Sequence, residues 1–82
     1  KTIMKMKLLG EMISNPTSDT ITSATLVHVV AGSATDLILE TDGAVIVGRI
    51  HIPANGSIDL VKDSTDTVTC PTSFCTPIAY IS

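Results

Sequence analysis

Two glycine-containing turns divide the middle of the chain into short runs of β-forming residues. Asp42-Gly43 separates residues 36–41 from residues 44–52, and a Pro-Ala-Asn-Gly segment at 53–56 separates the second run from residues 57–61. Asp-Gly between such runs predicts a two-residue hairpin, because a type I′ turn needs positive φ at both central positions. A second turn about a dozen residues later is typical of a meander of short strands. The pattern therefore predicts an all-β fold.

Four further strand candidates lie outside this meander. Residues 24–31 form a β-branched run without clean alternation, which predicts a strand covered on both faces. The other candidates are 3–13, 67–70 and 77–81, with a loop at 71–74 and a solvated polar turn at 62–66. We predict a small antiparallel β-sandwich or barrel of about seven short strands, forming one domain over residues 1–82.

The N-terminal segment fits two secondary structures. Apolar residues at 4, 6 and 8 alternate with lysines at 5 and 7, as expected of a strand with one solvated face. The segment could also line one side of a helix, but Gly10 would cost that helix about 1 kcal/mol. We therefore expect an N-terminal strand or arm within residues 1–15. Met4 and Met6 could add to the sheet edge of a neighbouring subunit.

The predicted hairpin assigns a face to each side chain of its two strands. A turn at Asp42-Gly43 places Asp36 opposite Arg49, as a cross-strand ion pair. One face is predicted to join the core, and it comprises Leu37, Leu39, Ile46, Ile50 and Ile52. The other face mixes charged and apolar residues, and it comprises Asp36, Ile38, Glu40, Val45, Val47, Arg49 and His51.

The apolar part of this second face is Ile38, Val45 and Val47. Exposed apolar patches rimmed by charged residues commonly mark a contact with another subunit. A strand or loop of the same chain could cover the patch instead, and the sequence leaves both alternatives open. The residues predicted to form a protein interface are Met4, Met6, Ile38, Val45, Val47 and Arg49.

Composition argues against several classes of partner. Of five basic residues, Lys1, Lys5 and Lys7 lie near the N-terminus with no aromatic residue among them, unlike the basic stripes that bind nucleic acid. No apolar run approaches the roughly 20 residues of a membrane-spanning helix. We expect neither nucleic acid nor a membrane as partner. A chain of 82 residues with one Phe, one Tyr and no Trp has a thin aliphatic core, and such chains often gain stability from neighbouring subunits.

Cys70 and Cys75 enclose a four-residue loop. Two buried free thiols, a disulfide and a metal site are the alternatives. A bridge is geometrically feasible if the chain turns back, whereas a redox pair would have two intervening residues. His28 and His51 lack the spacing of zinc ligands, so we expect no metal and no other cofactor. Free thiols would indicate assembly in a reducing cytoplasm.

No catalytic motif accompanies these residues. A thiol or hydroxyl nucleophile activated by His28 or His51 would call for a nucleophile elbow or similar motif, and the sequence contains none. The acidic residues at 59, 63 and 66 lack the spacing of a calcium loop. Asn55-Gly56-Ser57 is formally a glycosylation acceptor, but Asn-Gly is also what a tight turn requires. We expect no enzymatic activity and no catalytic residues.

Four segments in order carry a family resemblance. They are Lys-Leu-Leu-Gly-Glu at 7–11, the β-branched run at 24–30, residues 48–63 with their Pro-Ala-Asn-Gly turn, and Thr-Pro-Ile-Ala-Tyr-Ile at 76–81. Together they resemble the small β-rich structural proteins of tailed phages, particularly marine ones, over most of the chain.

The resemblance implies a non-enzymatic virion subunit assembled in the host cytoplasm, such as a capsid decoration or cement protein or a tail or fibre-base protein. It implies a homo-oligomer, a contact with a major capsid or tail protein, or both. The alternative is a secreted or surface binding module, such as an adhesin or a carbohydrate-binding domain, with Cys70 and Cys75 bridged. Its aromatic residues would be only Phe74 and Tyr80, whereas sugar sites are usually lined by several. A hydrolase with a Cys–His pair is a third hypothesis.

Overall fold

The computed structural model describes residues 4–81, which form eight β-strands in two antiparallel sheets. The strands are β1 (Lys5–Leu8), β2 (Ile13–Ser14), β3 (Leu26–Ala31), β4 (Thr35–Glu40), β5 (Ile46–Ile52), β6 (Ser57–Val61), β7 (Thr67–Thr69) and β8 (Ser73–Ile81). One sheet has the order β1-β8-β3-β6, with β2 also paired to β8, and the other has the order β5-β4-β7. The prediction of a small antiparallel all-β fold is confirmed, and the two sheets form a sandwich.

The inner faces of the two sheets enclose an aliphatic core. Successive residues of a strand point to opposite faces. In β3 the side chains of Val27, Val29 and Ala31 are buried, and the alternate ones are only half-buried, so the prediction that both faces are covered is wrong. The core cluster comprises Ile21, Ala24, Val27, Val29, Ala31, Leu37, Leu39, Ile52, Val68, Cys70 and Cys75.

The loop between β4 and β5 is one residue longer than predicted. The backbone N–H of Thr41 donates to the carbonyl of Val45 at 2.8 Å, and that of Ala44 donates to the carbonyl of Thr41 at 3.0 Å. Three residues, 42–44, therefore form the loop, and Ala44 has a φ of 63° whereas Gly43 has no positive φ. A three-residue loop commonly combines a type I turn with a left-handed third residue. The predicted type I′ turn is wrong, because the left-handed position follows the glycine.

A bulge in β5 shifts the register of the hairpin again. Glu40 lies opposite Ile46, but the preceding Leu39 lies opposite Gly48, which leaves Val47 as an extra residue without a partner. A bulge of this kind bends the strand and disturbs the alternation of its side chains. Together with the longer loop, the bulge shifts the pairing by two residues, so residues 49–52 keep the faces predicted for them, whereas Ile46 lies opposite Glu40 on the outer face.

The predicted ion pair between Asp36 and Arg49 is wrong for the same reason. Asp36 lies opposite His51, and Arg49 lies opposite Ile38. The carboxylate of Asp36 accepts a hydrogen bond from Nδ1 of His51 at 2.7 Å. The register therefore replaces an Asp–Arg pair with an Asp–His pair.

Two residues predicted to lie in the core are exposed. Leu37, Leu39 and Ile52 are buried as predicted, but Ile46 and Ile50 each keep 47% of their surface exposed. Within residues 4–81, strand β5 has a neighbouring strand on one of its long sides only, so it is an edge strand. Its apolar side chains are therefore covered from only one direction.

The strand predicted for the N-terminal segment is present as two short pieces, β1 and β2. Strand β1 pairs with the C-terminal part of β8, from Lys5 opposite Ile81 to Leu8 opposite Ile78. On its other side β8 pairs with β3 only as far as Pro77, so β1 and residues 78–81 extend past β3 as a two-stranded ribbon. Residues 1–3 of the predicted arm lie outside the described part of the chain.

The turn at 62–66 contains a buried cation, which corrects the prediction of a solvated turn. Lys62 is only 5% exposed, and its Nζ donates to the backbone carbonyls of Asp63 at 3.1 Å and Asp66 at 3.0 Å. The carboxylate of Asp66 accepts the backbone N–H of Asp63 at 3.2 Å. Burial lowers the pKa of Lys62, and the neighbouring carboxylate of Asp66 opposes this effect. The lysine thus holds the turn together from inside.

Candidate interaction surface

An apolar groove opens along one side of the sandwich, between the edge strands β5 and β6. It has a volume of about 390 Å³. The apolar side chains that line it come from both sheets, and they are Leu37, Leu39, Val47, Ile50, Ile58 and Leu60. Arg49 from β5 and Asp59 from β6 also contribute to the lining, but the carboxylate of Asp59 lies on the opposite face of its sheet, bonded to His28 and Tyr80. The sandwich is therefore open along this side, where the two sheets do not close on each other.

Gly48 accounts for part of this opening. It lies opposite Leu39, whose side chain belongs to the core, and a Cβ added at Gly48 would meet no atom within 4 Å. A larger residue here would cover the groove from the β5 side. The missing side chain leaves apolar surface of the inner face accessible to a partner.

Both walls of the groove are sheet edges. An edge strand presents unpaired backbone N–H and C=O groups, which can pair with a strand of another chain. On β6, Ile58 and Leu60 are half-buried and pack against the core, whereas Asp59 is exposed on the opposite face. The groove thus combines apolar side chains with backbone hydrogen-bonding groups, which suits an extended peptide segment.

The structure divides the residues that the sequence predicts as one interface. Val47 and Arg49 line the groove. Ile38 is half-buried on the outer face of the smaller sheet, and Val45 is exposed beside the 42–44 loop. Arg49 lies directly opposite Ile38, whereas Val45 precedes the bulge and Val47 is the bulged residue, so Val45, Val47 and Arg49 do not form one regular row along β5.

Met4 and Met6 lie at the other edge of the larger sheet. Both are exposed, and Met6 lies opposite Tyr80 in the ribbon formed by β1 and β8. All four residues of β1 are exposed. The N-terminal strand is therefore accessible, at a distance of three strands from the groove.

The outer face of the larger sheet carries a hydrogen-bonded cluster. The carboxylate of Asp59 accepts a hydrogen bond from the hydroxyl of Tyr80 at 2.5 Å and one from Nδ1 of His28 at 2.7 Å. The hydrogen bond from Tyr80 is the main cause that lowers the pKa of Asp59, and the bond from His28 is the second. The bond between Tyr80 and Asp59 also raises the pKa of Tyr80. Three strands are thus joined across their outer face.

Among residues 4–81, neither histidine is hydrogen-bonded to a thiol or a hydroxyl group. Within residues 4–81, the side-chain hydrogen bonds of His28 and His51 go to Asp59 and Asp36, both at 2.7 Å. The side-chain hydroxyl of Ser73 instead donates to a backbone carbonyl, that of residue 70, at 2.7 Å. The structure does not bring together the Cys–His pair of the hydrolase hypothesis.

Both cysteines are free thiols inside the core. The Sγ of Cys75 lies 3.8 Å from the Oγ of Ser73. Burial raises the pKa of Cys75 to about 11, so its thiolate is scarce near neutral pH. Among the described residues, no cluster of three or more His, Cys, Asp or Glu side chains is placed to hold a metal ion. The same residues contain no helix long and apolar enough to cross a membrane.

The described surface carries many large apolar side chains. Thirteen of them are exposed, whereas twelve hydrophobic residues are buried. The exposed ones cluster on the β1–β8 ribbon, on β5 and at the end of β6. No protein-family model, no curated protein and no solved structure matches the chain.

Proposed function

We propose that the chain is a non-enzymatic structural subunit that binds a repeating protein surface. The observation that carries this proposal is the number of large apolar side chains left exposed, which exceeds the number in the core. Covering a side chain such as Val or Ile contributes roughly 1.5–3 kcal/mol, so a few of them covered by a neighbour stabilise an assembly. Large exposed apolar patches on small proteins mark interaction sites.

The assembly that we propose is a virus particle. The sequence resemblance to small β-rich proteins of tailed phages supports this setting, with the chain acting as a capsid decoration or cement protein or as a tail or fibre-base subunit. Its partners would be copies of itself, a major capsid or tail protein, or both. The two free thiols fit assembly in a reducing host cytoplasm, whereas the secreted-module alternative would join Cys70 to Cys75.

Val47→Asp tests whether the groove is a binding surface. Val47 lines the groove and is 58% exposed, so the aspartate is expected to leave the isolated domain folded. It is expected to abolish binding to other subunits, measured by sedimentation velocity, because a charge would be buried without a partner. Ser64→Asp adds the same charge at an exposed position outside the groove and serves as the control. Loss of the folded circular dichroism spectrum in Val47→Asp would instead assign Val47 to an ordinary core.

Peptide mass spectrometry of purified virus particles tests the virion assignment. The particles are purified from host cells in which the virus that encodes this chain has replicated. We expect peptides of the chain at a fixed ratio to the capsid or tail protein, retained through gradient purification. Absence of the chain from intact particles would refute the assignment.

A further inference from the structure

The two free edges of the larger sheet have matching side-chain patterns. At one edge, β1 has the sequence Lys-Met-Lys-Leu, with its lysines on one side and Met6 and Leu8 on the other. At the other edge, β6 directs Ile58 and Leu60 toward the groove and Asp59 away from it. Each edge thus carries an apolar row on one side and charge on the other.

The charges of the two edges have opposite signs. The first seven residues contain three lysines and no acidic residue. The remaining 75 residues contain two basic and eight acidic side chains, so they carry a net charge of −6 within the overall −3. One of those two basic residues, Lys62, is buried. The chain is therefore electrically polar, with a basic N-terminal strand and an acidic body, which favours head-to-tail contact between copies.

We propose that β1 of a second copy docks along β6 and covers the groove. The inference rests on the proposed function as an assembling subunit, and it names the partner of the groove. Pairing Met6 and Leu8 of the second copy with Ile58 and Leu60 places Lys7 of that copy beside Asp59. The unpaired backbone groups of the two edge strands then form a ladder of hydrogen bonds.

The charges disfavour the symmetrical alternatives. Two β6 strands paired antiparallel about their centres would place Asp59 opposite its own copy, and like charges directly opposite are destabilising. Two β1 strands paired in register would bring lysines together in the same way. Only the unlike pairing of β1 with β6 places opposite charges side by side. Because its two surfaces differ, this contact repeats from copy to copy and generates a chain of subunits or a ring.

The pairing also fixes how the copies are oriented. Met6 and Leu8 lie opposite Tyr80 and Ile78, and Tyr80 reaches Asp59 on the outer face of the sheet. The apolar side of β1 is therefore the outer side of its own sheet. Since the groove lies on the inner side of β6, the second copy is turned over relative to the first.

Gly48→Phe tests the proposal by filling the groove within the chain. A side chain at Gly48 has open space, and its backbone is not left-handed, so the variant is expected to fold. We expect the wild-type sedimentation coefficient to rise with protein concentration and Gly48→Phe to remain a monomer. Gly43→Phe is the matched control, because a Cβ at Gly43 would meet only the Oγ1 of Thr41, at an ordinary 3.8 Å, and Gly43 lies in the loop and outside the groove. It is expected to associate like the wild type.

Lys7→Glu tests the charge of the docking strand without touching the groove. Lys7 is exposed, so the fold is expected to be unchanged, and the self-association Kd is expected to rise at least tenfold. A synthetic peptide of residues 3–9 is expected to compete with self-association, and its variant with both lysines changed to glutamate is not. Unchanged association in both Gly48→Phe and Lys7→Glu, or a monomeric wild type, would overturn the proposal.

Failure of this proposal and failure of the proposed function have different signs. A chain that is monomeric in solution but present in virus particles would leave the proposed function standing. A chain that self-associates but is absent from particles would refute only the virion assignment.

Discussion

Moving the glycine of the β4–β5 loop by one residue distinguishes the observed turn from the one that the sequence suggests. The left-handed residue of the loop is Ala44, whereas Gly43 has a backbone that any residue can adopt. The double variant Gly43→Ala/Ala44→Gly places the glycine where the left-handed conformation is. The composition of the chain does not change, so the two proteins differ only in the order of two loop residues.

The expected gain follows from two separate terms. A non-glycine residue in the left-handed region costs the folded state roughly 1–2 kcal/mol. Glycine at position 44 removes this cost but also raises the conformational entropy of the unfolded chain, so the net gain is the larger part of that figure. Alanine at 43 restricts the unfolded chain and contributes roughly 0.4–1 kcal/mol, and its Cβ would meet only the Oγ1 of Thr41, at an ordinary 3.8 Å. The sum is about 1.5 kcal/mol in favour of the double variant.

Urea unfolding followed by circular dichroism measures this difference, with unchanged m-values as the check on two-state behaviour. The thermal midpoint of the double variant is expected to rise by roughly 6–12 °C, since 1 kcal/mol corresponds to about 4–8 °C in a domain of this size. Gly43→Ala alone is expected to stabilise slightly. If Gly43→Ala destabilises the protein by 1 kcal/mol or more, glycine 43 is left-handed and the three-residue loop is refuted.

Three further predictions concern the buried lysine, the thiols and the tyrosine. Lys62→Met is expected to lower the free energy of unfolding by about 2 kcal/mol, because two backbone carbonyls lose a charged hydrogen-bond donor. Ser64→Ala in the same turn is expected to change it by less than about 0.5 kcal/mol. Equal effects of the two variants would contradict the role of Lys62 in holding the turn together. Both cysteines are expected to resist alkylation near pH 8 in the native protein and to react in urea, because both are buried and burial raises the pKa of Cys75 to about 11; rapid native labelling would contradict their burial. Tyr80, the only tyrosine, is expected to titrate above pH 10 by ultraviolet absorbance and closer to 10 in Asp59→Asn. Since the pKa of Asp59 is lowered and that of Tyr80 is raised, the stability that their bond contributes is fully present between about pH 4 and about pH 10 and declines outside that range. The difference between Tyr80→Phe and the wild type should therefore be largest within it.

The positions of the strands could be predicted because turn residues and β-branched runs are local signals. Strand β6 has the predicted bounds, and the ends of β3, β4 and β5 differ from prediction by two residues at most. The start of β8 was missed, because Ser73 and Phe74 lie in the strand and were predicted as a loop. Pro71 and the polar residues after it are typical of turns, so the local signal there is misleading.

The register of the hairpin could not be predicted in the same way. Glycine marks a turn, but the left-handed residue of this turn is Ala44, and Val47 adds a bulge whose position the sequence does not fix. A single one-residue shift would exchange the faces of β5, but the longer loop and the bulge together move each partner by two residues and restore the faces beyond the bulge. The predicted Asp36–Arg49 pair therefore failed although both strands were located correctly.

The groove lies beyond what the sequence alone can predict, because its walls belong to edge strands of different sheets. Strand order decides which strands are edges, and β6 lies beside β3 although β4 and β5 come between them in the sequence. Two local signals could have indicated it. Gly48 inside a strand is typical of a bulge or of a close approach by another backbone. The alternation of Ile58, Asp59 and Leu60 is typical of a strand with one accessible polar face.

The charges on the edge strands have a second consequence for assembly. Natural sheets use charged edge residues to prevent pairing with the wrong edge, and here the same charges that oppose β6–β6 and β1–β1 contacts favour β1–β6. The Debye length falls from about 10 Å at 0.1 M salt to about 3 Å at 1 M, so salt screens the attraction and the repulsion together. The apolar side chains of the groove remain equally favourable to cover. High salt should therefore make self-association less specific rather than abolish it, with ordered head-to-tail species at low salt giving way to mixed aggregates. Discrete monomers at high salt would mean that charge alone, and not the groove, holds the copies together.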